Sequence, residues 1–164
     1  MLIRPATAED VPQVLPMVAK ICALHESWDA AKYGFRENVA QMYRGWLTSR
    51  ARDSQSVFLV AQREQSISSE PGAHKLAGFV VGTLEREIPI YRIERFGFIH
   101  DLWVEPEFRN EGIGRQMAML AIEKFRQMGA RQIRLDTAAG NDAARALFAS
   151  CGFRESMREM LLEI

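Results

Sequence analysis

The sequence predicts a mixed α/β fold, an α+β arrangement whose sheet is mostly antiparallel and contains one parallel pair of strands. Two strand-like apolar runs, residues 56–62 and 76–85, are joined by a polar, turn-rich segment, as is typical of an antiparallel hairpin. Residues 98–153 then alternate strand, helix, strand and helix, which favours parallel pairing. A chain of 164 residues suits one domain, and we expect that domain to span residues 1–164.

The first half of the chain predicts one strand and two helices before this hairpin. The opening "LIRPA" is typical of a short strand, and Thr7 with Asp10 forms a capping box for the helix that follows. Pro16 should kink or shorten that helix. A second helix is expected from about residue 37 to residue 50. The apolar stripe of the first helix contains Val11, Val14, Leu15, Val18, Ile21 and Cys22.

The second half begins with "FIHDLWVEP", a strand that ends at Pro106 and leads through a glycine turn into a helix of about fifteen residues. Gly129 should cap the end of that helix. "QIRLDT" predicts a further strand, residues 141–152 predict a helix that ends at Gly152, and residues 153–164 predict a closing strand. The inward residues of the helix after the glycine turn are predicted to be Met117, Leu120, Ala121 and Phe125.

Composition excludes several classes of function. The 21 acidic side chains balance the 21 lysines and arginines, which argues against a nucleic-acid-binding protein. Cys22 and Cys151 lack metal-binding or redox spacing, so we expect no metal site and two reduced, buried thiols. No run is apolar enough for a signal peptide or a membrane span, and we therefore expect a cytoplasmic protein without a membrane partner.

The turn "RNEGIGRQ", residues 109–116, predicts a binding site for a diphosphate. A helix N-terminus presents unpaired backbone N–H groups and a partial positive charge. Gly112 and Gly114 would each weaken a helix by about 1 kcal/mol relative to alanine, but they let a phosphate oxygen approach those amides. Arg109 can add a charge-assisted contact. The dinucleotide fingerprint would need a third glycine where Met117 stands, and the lysine of a nucleotide P-loop is absent.

The pattern Arg109-x-x-Gly112-x-Gly114 resembles the acyl-CoA-binding turn of the GNAT family of N-acetyltransferases. "IRPATAEDVPQV", "IHDLWVEPEFRNEGIGRQM" and "NDAARALFASCGF" are similar to other segments of that family, in the same order, with the strongest likeness over residues 98–153. The resemblance implies the GNAT fold, a central, mostly antiparallel sheet with a splayed parallel pair, flanked by four helices. It also implies acetyl-CoA as co-substrate and no metal.

The resemblance assigns the coenzyme contacts. In that family the strand before the turn splays from its parallel neighbour, so the pantetheine arm can pair with its free backbone like an added strand. One face of the last helix turns toward the coenzyme. The implied set is Leu102, Trp103 and Val104 along the arm, Arg109, Asn110, Glu111, Gly112, Ile113, Gly114 and Arg115 around the pyrophosphate, and Asn141, Ala144 and Phe148 on the helix.

Amide formation needs an uncharged amine, and deprotonating a lysine-like amine at pH 7 costs about 4.6 kcal/mol. His100 is the first candidate for the base, and Asp101 stands where relatives carry part of an acidic pair. Strand alternation predicts that these two side chains point to opposite faces, which leaves open the one that faces the substrate. The tyrosine that serves the family as general acid is replaced by Phe148, so water, Tyr43 or another hydroxyl would have to protonate the thiolate.

The sequence therefore predicts an N-acetyltransferase that acts on a primary amine, either a small cationic amine or a protein amine, by direct attack in a ternary complex. The alternatives are a non-catalytic acyl-CoA sensor, which Phe148 favours, and a transferase for longer acyl chains. The apolar end "MLLEI" permits a homodimer. Candidate acceptor-pocket residues are Trp28, Tyr33, Phe35, Tyr43, Trp46, Tyr91 and Phe96, with the carboxylates of Glu85, Glu87, Glu94 and Asp101.

Overall fold

A computed structural model describes residues 1–63 and 75–164, so the turn-rich segment of the predicted hairpin lies almost wholly outside the described residues. Five strands form one sheet in the order β1-β2-β3-β4-β5. Neighbouring strands are antiparallel except β4 and β5, which are parallel, as the sequence predicts. The strands are β1 (Leu2–Pro5), β2 (Ser56–Gln62), β3 (Leu76–Arg86), β4 (Arg95–Val104) and β5 (Ile133–Leu135).

Helices cover both faces of this sheet. The α-helices of the described residues are α1 (Val11–Trp28), α2 (Val39–Arg50), α3 (Ile113–Gln127) and α4 (Asp142–Ser150). Buried side chains of α1 and α2 pack with Phe79 and Trp103 on one side, called the α1–α2 face. Those of α3 and α4 pack with Val80 and Ile99 on the other, called the α3–α4 face. In the part of the chain that the structure describes, no helix combines the length and the apolar character that crossing a membrane requires.

A β-bulge in the middle of the β3–β4 ladder changes the orientation of the residues that follow it. Val81 pairs with Asp101, but the next residue of β3, Gly82, pairs with Ile99, so His100 is the extra residue. Ile99 packs on the α3–α4 face, whereas His100 contacts Trp46 of α2 and Asp101 contacts Tyr43 of α2. The prediction that His100 and Asp101 point to opposite faces is therefore wrong, because simple alternation does not hold across a bulge.

The parallel pair is short, and β4 continues beyond it. Pairing with β5 covers Gly97, Phe98 and Ile99 and stops there. The N–H of Glu105 donates to Ala77 on β3, at 2.8 Å. Since backbone groups alternate along an antiparallel strand, those of Leu102 and Val104 point away from β3. We call this side of residues 102–104 the open edge of β4.

Both later helices end as predicted. Gly129 and Gly152 have φ of 85° and 94° and terminate α3 and α4. In each case the amide after the glycine bonds back to the carbonyl five residues earlier, Ala130 to Phe125 and Phe153 to Phe148, each at 3.0 Å. This is the Schellman arrangement, which a left-handed glycine permits.

The start of α1 departs from the predicted capping box. The carboxylate of Asp10 accepts the N–H of Thr7 at 2.8 Å, but the helix begins only at Val11, and the side chain of Thr7 caps nothing in it. Asp10 is also held by both terminal nitrogens of Arg4, at 2.8 and 2.7 Å. The helix then runs through Pro16 to Trp28, so the proline does not shorten it.

Three other expectations fail, two of them on burial and one on secondary structure. Leu120 is 43 % exposed, because it lies on the solvent side of the stripe that Met117, Ala121 and Phe125 form. Cys151 is only half-buried, although Cys22 is buried, and both thiols are free. Residues 153–164 form no strand, and Met157, Met160 and Leu162 remain exposed.

Candidate active site

The turn between β4 and α3 places several free backbone donors at one point. Gly112 is the N-cap of α3 with φ of 76°, and Asn110 also has a positive φ, 66°. No side chain caps this helix, so the N–H groups of its first turn, from Ile113 to Arg115, lack an intrahelical acceptor. Gly112 lies before the helix and carries a left-handed backbone, so the helix-weakening cost expected of it does not apply there.

Gly114 has no packing reason to be a glycine. A Cβ built on it would meet Leu147, Val104 and Leu102 at 3.4, 3.6 and 3.7 Å, which are ordinary van der Waals distances. Its φ is not left-handed, unlike that of Gly112. The free first-turn N–H groups, rather than the space around Gly114, are therefore the feature that fits a coenzyme pyrophosphate.

Arg109 lies along the open edge of β4. Its Nε donates to the carbonyl of Val104 at 3.0 Å, and its guanidinium lies 4.7 Å from the ring centroid of Trp103. The indole N–H of Trp103 donates to the buried carboxylate of Glu105, which also accepts Lys20 at 2.7 and 2.8 Å. Arg109 thus touches the last carbonyl of the open edge, directly before the glycine turn. Its contact with a phosphate remains a prediction.

Side chains of three other predicted contacts are engaged inside the protein. Asn141 caps α4 by accepting the N–H of Ala144 at 3.0 Å. Phe148 is 8 % exposed and packs edge-on against Phe153, with ring centroids 5.4 Å apart. The side chain of Ile113 is buried at 3 % exposure, which leaves only its backbone for a ligand. The structure thus gives Phe148 a role in the core, and no hydroxyl replaces the missing tyrosine at that position.

Asp101 is a buried carboxyl on the α1–α2 face. It is 8 % exposed and accepts the hydroxyl of Tyr43 at 3.3 Å. Burial raises the pKa of Asp101 to about 6, although the Tyr43 hydrogen bond acts in the opposite direction. Burial and the nearby Asp101 charge also raise the pKa of Tyr43 well above its ordinary value. A tyrosine with a raised pKa is a weaker acid, so Tyr43 is poorly suited to protonate a thiolate.

His100 lies beside Asp101 on the same face, with a side chain that is 30 % exposed. Its ring stands perpendicular to that of Trp46, with centroids 5.2 Å apart, and its Nε2 lies 2.6 Å from the hydroxyl of Thr83. Burial lowers the pKa of His100, Glu85 raises it, and Arg50 lowers it. Because the net shift is downward from about 6.5, the imidazole is mostly neutral at pH 7 and can accept a proton.

Two of the predicted acceptor-pocket aromatics lie beside His100 and Asp101. Tyr43 contacts Asp101, Trp46 contacts His100, and the centroids of the two aromatic rings are 5.8 Å apart. Phe96 instead lies 3.9 Å from the guanidinium of Arg134, which pairs with Glu87. Thr83 was missed by the sequence reasoning. Its signal was its position two residues before Glu85 on one strand, but only the bulge shows that His100 faces it.

The geometry can be compared with known proteins. Residues 22–153 match the model of the acetyltransferase (GNAT) family. The chain belongs to this family. Human N-acetyltransferase 8 is 27 % identical over 151 residues, which cover 87 % of this chain and 60 % of the human protein. An uncharacterized N-acetyltransferase of Methanocaldococcus jannaschii is 28 % identical over 154 residues, which cover 93 % of this chain and 60 % of that protein.

This GNAT chain thus spans 60 % of the length of these two curated relatives. A crystal structure of a point variant of the BH1408 protein from Bacillus halodurans superposes with a TM-score of 0.82 at 23 % identity, covering 100 % of this chain and 99 % of that one. The predicted family and fold class are confirmed. The family is one of acetyltransferases. Within residues 1–63 and 75–164, no group of three or more His, Cys, Asp or Glu side chains is arranged to hold a metal ion.

Replacing Asp101 with asparagine should stabilise the protein at alkaline pH. An unfolded aspartate titrates near pH 3.9, whereas the folded pKa is about 6, so the folded state binds the proton more tightly and loses stability as pH rises through that window. The loss amounts to about 2–3 kcal/mol above pH 7. Urea unfolding should show Asp101→Asn more stable than the unmodified chain at pH 8 and similar to it at pH 4. An equal difference at both pH values would contradict the shifted pKa.

Proposed function

We propose that this protein is an N-acetyltransferase that transfers the acetyl group of acetyl-CoA to a primary amine by direct attack within a ternary complex. The observation that carries the proposal is that β4 combines two features within five residues. Its open edge leads into the uncapped glycine turn, and its bulge brings the side chains of His100 and Asp101 to one face.

The open edge would hold the pantetheine arm by strand-like pairing with Leu102 and Val104. The amides from Asn110 to Arg115, together with Arg109, would hold the pyrophosphate. The backbone at Asn141 and Ala144, and the buried ring of Phe148, would line the same side. The backbone groups of Trp103 point to β3, so the predicted contact of Trp103 with the arm is not kept. When bound, acetyl-CoA supplies an activated thioester carbonyl.

The acceptor is proposed to be a cationic amine. Asp101 contributes a buried carboxylate above about pH 6, and Glu85 contributes a second one that is 44 % exposed beside His100. The ring of Tyr43 adjoins Asp101 and the ring of Trp46 adjoins His100, and aromatic faces attract cations. Small polyamines, aminosugars and lysine side chains of peptides share this chemistry.

A non-catalytic acyl-CoA sensor is the second candidate, because Phe148 offers no hydroxyl for the departing thiolate. The free-energy cost of lacking this general acid is modest. A thiol with a pKa near 8.5 leaves as thiolate at pH 7 at a cost of about 2 kcal/mol, against about 4.6 kcal/mol for deprotonating the amine. A base therefore matters more than an acid, and His100 is present.

A screen of amine acceptors with release of free coenzyme A thiol as readout tests the proposal. We expect cationic primary amines to release thiol faster than neutral amines of equal size, with acetyl-CoA compared against propionyl- and succinyl-CoA. Acetyl-CoA binding without thiol release from any amine, even at pH 9, would contradict the enzyme and favour the sensor. Failure to bind acetyl-CoA would exclude both.

A further inference from the structure

Three polar side chains of β3 and β4 form a short chain of contacts on the α1–α2 face. The hydroxyl of Thr83 lies 2.6 Å from Nε2 of His100 and donates a short hydrogen bond to Oε1 of Glu85. The same Glu85 oxygen lies 3.9 Å from Nε2 of His100. Thr83 is 7 % exposed, whereas the Glu85 and His100 side chains are 44 % and 30 % exposed. The hydroxyl is thus enclosed between two groups that reach solvent.

The positions of the hydrogens between His100, Thr83 and Glu85 can be assigned by counting donors and acceptors. A threonine hydroxyl has one hydrogen, and an ionised carboxylate can only accept. The Thr83 hydrogen therefore points at Glu85, which leaves a lone pair of Oγ1 facing His100. Two facing lone pairs at 2.6 Å would repel, so Nε2 of His100 must carry a hydrogen. In a neutral imidazole, Nδ1 is then the basic nitrogen.

The other groups around His100 leave this assignment in place. Trp46 and Phe98 contribute ring faces and edges, with centroids 5.2 and 5.0 Å away. The charged and titratable groups that act on the imidazole are Glu85 of β3 and Arg50 of α2. Asp101 is its neighbour on β4, and its carboxyl is hydrogen-bonded to Tyr43. In the part of the chain that the structure describes, no hydrogen bond reaches Nδ1.

We propose that Thr83 and Glu85 are positioning residues that fix His100 in its Nε2–H form, with Nδ1 as the atom that accepts the proton of the amine. The inference rests on the proposed function. In the step, an ammonium proton moves to Nδ1, and the freed amine lone pair forms the C–N bond as the C–S bond breaks. The proton that the new amide nitrogen loses balances the thiolate, which leaves as thiol. Glu85 stabilises the imidazolium through Thr83.

Nuclear magnetic resonance of the His100 ring tests the geometry without any activity. At a pH above the pKa of His100, we expect a slowly exchanging, downfield Nε2–H proton and an unprotonated Nδ1, with His100→Gln used to assign the signals. Thr83→Ser should keep the Nε2–H signal, and Thr83→Val should lose its protection from exchange. An Nδ1–H form in the unmodified protein, or an unchanged signal in Thr83→Val, would overturn the proposal.

Kinetics then tests the contribution of Thr83 and Glu85 to catalysis by His100, called the Thr83–Glu85 relay. Thr83→Val should lower kcat/KM at pH 7 on the order of tenfold, and Thr83→Ser should restore most of it. Because Glu85 raises the pKa of His100, Glu85→Gln should move the acidic limb of the kcat/KM profile to lower pH. Glu123→Gln, which removes an exposed carboxylate of α3 on the other side of the sheet, should leave the limb in place. An unmoved limb in Glu85→Gln would refute the relay, whereas absence of activity with the expected ring signals would refute the proposed function alone.

Discussion

Replacing Gly114 with alanine should weaken coenzyme A binding at least about tenfold while leaving the fold as stable as before, or up to about 1 kcal/mol more stable. Stability should not fall, because the new Cβ would meet its neighbours at 3.4 Å or more and alanine is the better helix former. Affinity should fall, because the new methyl group would lie against the side chains of Leu102 and Val104 at the open edge and crowd the space beside the first-turn amides. The two effects therefore have opposite signs.

Gly45 provides the matched control. It lies inside α2, and a Cβ built on it meets nothing within 4 Å. Gly45→Ala should raise the free energy of unfolding by a similar amount without changing coenzyme A affinity. Isothermal titration calorimetry with coenzyme A and urea unfolding measure the two quantities. Undiminished affinity in Gly114→Ala would show that the turn does not hold the phosphates, and absence of affinity in the unmodified chain would remove the coenzyme assignment.

Local sequence signals predicted the elements that build the coenzyme side. The two left-handed helix ends at Gly129 and Gly152, the hairpin strands and the uncapped turn all follow from residue type and spacing. These features are decided within a few residues, so one sequence suffices for them. Gly114 was placed correctly at the turn, but only the surrounding structure shows that packing does not require it.

The acceptor side was harder to predict because it depends on a bulge. Alternation assigns His100 and Asp101 to opposite faces, and one extra residue in β4 reverses that assignment for everything after it. No residue type in "FIHDLWVEP" marks the bulge, which is set by how β3 pairs with β4. Residues 153–164 likewise form no strand, because apolar residues alone do not determine whether a segment pairs with a sheet.

Replacing His100 with glutamine should lower kcat/KM for a cationic amine at pH 7 by about 10²- to 10⁴-fold, the range that a positioned base contributes. Glutamine keeps a polar side chain beside Trp46 and Thr83 but cannot take up a proton at that pH. Coenzyme A affinity should stay unchanged, since the imidazole lies on the α1–α2 face and the glycine turn lies beyond the end of β4. Calorimetry on the same variant separates a binding defect from a chemical one.

The pH profile identifies which of His100 and Asp101 is the base. In the unmodified protein kcat/KM should fall as pH drops through the lowered pKa of His100, because protonation removes the lone pair. The His100→Gln profile should lack this limb and keep only the dependence set by the amine. Asp101→Asn should retain the limb if His100 is the base. A limb near pH 6 that survives in His100→Gln and disappears in Asp101→Asn would instead make the buried carboxylate the base, since its pKa is raised to about 6.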